Sequence, residues 1–107
     1  MTHAAEDAHA DRSSALFNNR YLVSVVRAIT RIGGATAFTT RELAVETRLP
    51  DSLVRPVLQR LLAAELLYED HRLPGMRGAK YFRTAPGTAW AELEALCHAL
   101  ADPATPR

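Results

Sequence analysis

Between residues 39 and 83, two helical patterns flank a break of three residues, and two short extended runs follow around a glycine-containing loop. So short a break makes the second helix cross the first steeply, and this constrains everything packed on the pair. Thr39 and Glu42 have the spacing of a capping box, in which the hydroxyl accepts from the amide near Glu42 and the carboxylate reaches back. The first helix is expected over 40–46, burying Leu43, Ala44 and Thr47. Thr47, Arg48 and Leu49 make the turn, with Leu49 facing inward. Pro50 suits the start of the next helix, where the first amides lack internal partners anyway. That helix is expected over 51–64. Leu53, Val54, Val57, Leu58, Leu61 and Leu62 form its apolar face; Asp51, Ser52, Arg55, Gln59 and, further round, Arg60 form the other. Pro56 lacks the amide that would bond back to Ser52, which predicts a bend or a late start.

The hairpin is expected as a strand over 67–69, a tip over 73–78 and a returning strand over 80–84, with Tyr81 and Phe82 on opposite faces. Upstream, 35–38 reads as a short extended segment. A first helix is expected over 15–32, capped by Ser13 or Ser14 and stopped by Gly33 and Gly34. Its stripe of Leu16, Tyr21, Leu22, Val25, Val26, Ile29 and Ile32 leaves Arg20, Arg27 and Arg31 largely outside. A final helix from Thr88 carries Trp90, Leu93, Leu96, Cys97 and Leu100 at three- and four-residue spacing. It either folds back on the first helix or pairs across a two-fold axis. The expected use is a homodimer interface built from Tyr21, Val25, Ile29, Trp90, Leu93, Cys97 and Leu100. The domain is then 15–101, with a disordered tail over 1–14 that includes His3 and His9, and a frayed end over 102–107.

The 107 residues suffice for one domain but not for a second, ligand-binding one. The formal net charge is only +1, yet residues 15–61 hold seven arginines against Glu42, Glu46 and Asp51. The segment from His71 to Arg83 adds Arg72, Arg77, Lys80 and Arg83 without an acid. Such segregation predicts a positive face. Cys97 is the single cysteine, so no intrachain disulfide forms, and its place on the apolar side predicts a small core filler. Cys97, His98, Asp102 and His71 lack convincing metal-ligand spacing, and neither a catalytic triad nor a phosphate loop stands out. No cofactor, metal or enzymatic activity is expected. The N-terminal residues lack the apolar core of a secretion signal, and no stretch approaches membrane-spanning length. The expected location is cytoplasmic.

The segments TTRELAVETRLPDSLVRPVLQRLLAAELLYE, RLPGMRGAKYFRTAPG and TAWAELEALCHAL resemble winged helix-turn-helix regulators of the broad group that includes the MarR, PadR, ArsR and Rrf2 families. Ser52, Val54, Leu58 and Leu61 fill that group's S-x-V-x-x-x-L-x-x-L recognition-helix pattern. Glu65-Leu66-Leu67 stands where a glycine-led ending is usual. Tyr81-Phe82-Arg83-Thr84 before Pro86-Gly87 resembles the group's Y-x-L-T-x-x-G ending, with Arg83 in an ordinarily apolar place. The resemblance covers about residues 20–100. It implies a mainly α fold with a small β-hairpin and extra N- and C-terminal helices. Asp51, Ser52, Arg55 and Gln59 would face a DNA major groove, with Arg77 and Lys80 in the wing.

The residues support the same assignment. Arg55 suits base or phosphate contact, Gln59 an adenine edge, and Ser52 a phosphate. Arg77 suits the minor groove or backbone, while Lys80, Arg72, Arg48 and Arg41 flank it. The expected function is a sequence-specific, double-stranded-DNA-binding transcriptional regulator, most simply a homodimeric repressor, with room for a small-molecule effector between helices. The other readings are a winged-helix protein-interaction module and a nonspecific architectural DNA binder.

Overall fold

A computed structural model describes residues 3–33, 36–72, 78–87 and 89–102, with side chains from His9 onward. The helix at its centre, α2 (Leu22–Ile32), is rich in β-branched residues that lose side-chain freedom in a helix. Burial compensates: Leu22, Val23, Val25, Val26, Ala28 and Ile29 are all buried. Each large aliphatic side chain so placed contributes about 1.5–3 kcal/mol. Against α2 pack α1 (His3–Phe17) and α5 (Trp90–Ala101), which also touch each other, and α3 (Thr40–Thr47) with α4 (Asp51–Ala63).

The N-terminal half differs from expectation. Instead of one helix over 15–32 after a disordered tail, α1 begins at His3 and ends at Phe17, and α2 starts afresh at Leu22. Asn18 takes a left-handed conformation with φ 55°, and Asn19 Oδ1 accepts from the Tyr21 amide at 2.8 Å. Asparagine tolerates both roles. Ser13 is not a cap at the head of its own helix. It is completely buried inside α1, where its hydroxyl donates to Asn19 O at 2.6 Å and accepts from the Val23 amide at 3.1 Å. Ser13 thus satisfies an orphan amide at the start of α2, whose own first residues supply no side-chain cap.

The helix-turn-helix forms largely as its sequence predicts. Thr39 Oγ1 accepts from the Glu42 amide at 3.1 Å, and Glu42 Oε1 accepts from the Thr39 amide at 2.9 Å. At the end of α3, Arg48 takes φ 60°, its amide bonding Val45 O and the Leu49 amide bonding Ala44 O. α4 ends likewise, with Glu65 at φ 62° and the Glu65 and Leu66 amides on Leu62 O and Leu61 O. These are Schellman closures without glycine. Glu65 therefore occupies the left-handed position for which the resembled families use glycine. α4 starts promptly at Asp51 and runs through Pro56. Ser52 and Pro56 are both exposed, so water can satisfy the carbonyl that Pro56 leaves unbonded.

β1 (Leu67–Glu69) pairs antiparallel with β2 (Phe82–Thr84) in the register Leu67–Thr84, Tyr68–Arg83, Glu69–Phe82. Phe38 bridges the other edge of β2, its amide and carbonyl bonding those of Phe82 at 2.9 and 2.8 Å. Phe82 is buried while Tyr81 is half-buried, and the Phe38 and Phe82 rings lie 6.3 Å apart in the core. The tip residues 73–77, Arg77 among them, lie outside the described residues.

α5 folds back on α2 within one chain. Val25, Ile29 and Cys97 have no exposed surface, Trp90 is buried, and Tyr21, Leu93 and Leu100 pack half-buried against the core. Of the stripe expected at a homodimer interface, Val25, Ile29, Trp90 and Cys97 are covered within the protomer, each apolar face being the nearest cover for the other. At the seam Thr30 Oγ1 donates to Glu94 Oε2 at 2.6 Å.

Candidate nucleic-acid interface

The exposed flank of α4, the start of α3 and the wing stem enclose a groove of about 390 Å³. Asp51, Arg55 and Gln59 reach it from α4, Arg41 from α3, and Lys80 from the segment leading into β2. Five of the residues singled out in the sequence therefore share one surface. Thr39, Thr40 and Glu69 line it as well; the local pattern marks the threonines only as a helix start.

Within the groove, Asp51 lies between two guanidinium groups, 3.5 Å from Arg41 and 3.7 Å from Arg55. Both separations exceed ordinary charge-assisted hydrogen bonds, and buried Asp51 Oδ1 has no hydrogen-bond partner. The arginine side chains are 77% and 65% exposed. Exposed pairs of this kind contribute about 0–1 kcal/mol, so either guanidinium can turn from Asp51 to an incoming phosphate or base at little cost. Arg41, Arg55 and Lys80 face Asp51 and Glu69, so the groove is only mildly positive.

The remaining candidates lie elsewhere. Ser52 is exposed next to the groove without lining it. Arg48 lines a different groove, between α1, α2 and the α3–α4 turn. Arg60 is an anchor: Nη1 donates to Phe17 O at 3.0 Å and Nη2 to Asn18 O at 3.4 Å, closing the end of α1. Arg72 turns to Asp70, donating from Nε at 3.0 Å and Nη2 at 3.1 Å, while Arg83 Nε donates to the same carboxylate at 2.7 Å. Arg72 foremost, then Arg83, holds the Asp70 carboxyl well below the usual carboxylate range. Arg83, unusual for the resembled families, thus has a physical role beside a buried acid that fastens the wing stem. Lone sequence patterns could not show this, because Asp70 and Arg83 meet only across the hairpin.

A helix-turn-helix joined to an antiparallel hairpin, flanked by additional helices, is an arrangement of winged-helix type. Its shape is compatible with binding nucleic acid or protein. The chain matches no protein-family model, no curated protein and no solved structure. Among the described residues, no helix is long and apolar enough to cross a membrane.

Proposed function

We propose that this chain is a sequence-specific, double-stranded-DNA-binding transcriptional regulator that reads a major groove with α4 and steadies itself with the wing. The observation that carries this reading is the shared groove, where Arg55 and Gln59 on exposed α4 positions stand beside Lys80 of the wing stem. Arginine and glutamine are side chains whose paired donors or acceptors match base edges, and lysine suits phosphate. Repression by promoter occlusion is the simplest outcome of such binding. A homodimer would set two α4 helices about one DNA turn apart, using a surface other than the α2–α5 seam. Cytoplasmic location accompanies this reading.

The test is enrichment from a randomised duplex pool at moderate salt, followed by affinity measurement on the recovered site. An inverted repeat is expected, and Arg55→Ala should weaken binding by about tenfold or more while relaxing preference at one base position. Wild-type affinity and preference in Arg55→Ala would remove that residue from the reader. Binding without enrichment would instead point to an architectural role. The weak charge of the groove and Val45, 70% exposed on α3, favour a second reading as a protein-interaction module, which absence of DNA binding even at low salt would support.

A further inference from the structure

A second groove, of about 590 Å³, shares no lining residue with the first. Arg27 and Arg31 enter it from one flank of α2, Arg20 from the connection before α2, and Arg48 from the α3–α4 turn. Glu46 is the one acid lining it among the described residues. Arg20 Nη1 contacts Asp11 at 3.1 Å, and Arg31 bonds Glu46 through Nε at 2.7 Å. The guanidinium groups of Arg27 and Arg48 have no ion-pair or hydrogen-bond partner among the described residues. Arg27 is half-buried and Arg48 exposed, so both guanidinium groups are open to an incoming anion.

We propose that this groove binds a phosphorylated small molecule, with the phosphate held between Arg27 and Arg48. Convergent arginines match phosphate oxygens through paired, charge-assisted hydrogen bonds. The volume is that of a small-ligand site. Tyr21 also lines the groove and would offer an aromatic surface to the rest of the ligand. The ligand would touch Arg48, whose left-handed backbone sets the angle between α3 and α4, so occupancy bears on the pose of α4. That last step, an effector acting on DNA binding, rests on the function proposed above; anion binding does not.

The experiment titrates inorganic pyrophosphate into the full chain by calorimetry at constant ionic strength, with sulfate as a charge control. Wild type, Arg27→Gln with Arg48→Gln, and Arg55→Ala are compared, and thermal melts establish that each is folded. Saturable pyrophosphate binding is expected, weakened about tenfold or more by the double substitution and unchanged by Arg55→Ala. Pyrophosphate should also raise the melting temperature of wild type but not of the double variant. Equal affinity in a folded double variant, or heat no greater than with sulfate, overturns the proposal. So does loss of duplex affinity in the double variant when pyrophosphate does not bind, because the arginines would then be a DNA-backbone contact. Pyrophosphate binding in a protein that binds no duplex leaves this site standing and retires only the regulator reading.

Discussion

Glu65 carries a local conflict. A residue with a Cβ pays steric energy at φ 62°, yet the Schellman closure of α4 requires that geometry. Glu65→Gly relieves the clash, less the extra freedom glycine gives the unfolded chain. We expect a net stabilisation of about 0.5–1 kcal/mol, measured as a higher urea midpoint at unchanged slope. Asp70 behaves differently. Its carboxyl is held ionised in the folded state by Arg72 and Arg83, whereas in the unfolded chain it takes a proton near pH ~4. Stability from this group is present above that value and declines as pH falls through it toward the lower folded value. Asp70→Asn should therefore show a shallower loss of melting temperature between about pH 5 and pH 3 than wild type. An identical pH profile in the two proteins would show that the carboxylate is not held as described.

Among the elements, α1 is tied to the rest of the fold by three polar contacts that can be tested one at a time. Ser13 ties it to the start of α2, Arg60 closes its end from α4, and Arg12 Nη1 reaches Leu100 O at 2.7 Å on the last turn of α5. Guanidinium groups at helix C-termini satisfy orphan carbonyls and oppose the dipole there. Ser13→Ala leaves the buried Val23 amide without its acceptor, at a cost of about 1–3 kcal/mol. Hydrogen exchange should report this as faster exchange at Val23 and its neighbours, with the α4 amides changed less. Equal acceleration everywhere would mean that α1 and the helix-turn-helix open only together. Signals for α1 were present in the sequence: five alanines in fifteen residues favour a helix, and the Asn18-Asn19 pair marks its end. They were obscured because the segment has almost no apolar stripe, and stripe periodicity is the stronger cue for a buried helix.

In the whole molecule, the α2–α5 seam encloses Cys97, which has no exposed surface and whose thiol is pushed up to about 12 by burial. The thiolate is the reactive form, so the native protein should react with an aromatic disulfide reagent only as fast as α5 leaves α2. We expect the labelling rate to rise with urea in step with unfolding. Rapid labelling of the folded protein would show that α5 undocks independently and that the seam is available to another chain. Sedimentation equilibrium, with and without DNA, separately decides the homodimer.

The helix-turn-helix and the hairpin stem were legible from the sequence. Thr39 and Glu42, the Thr47-to-Pro50 turn, the α4 stripe and the flanks of β1 and β2 act through hydrogen bonds and alternations between residues close in the chain. The candidate groove was legible in part for the same reason: Arg41, Asp51, Arg55 and Gln59 sit on local faces that periodicity assigns. Tertiary structure decided the rest. Burial of apolar area is non-directional, so the α5 stripe could not say whether its cover would be α2 of the same chain or a second copy. Charged side chains are long and choose partners in space, so Arg60 became an anchor, Arg72 and Arg83 converged on Asp70, and Arg48 joined Arg20, Arg27 and Arg31 across helices. Local chemistry thus determined which elements form, while proximity between distant residues determined which faces remain free to bind.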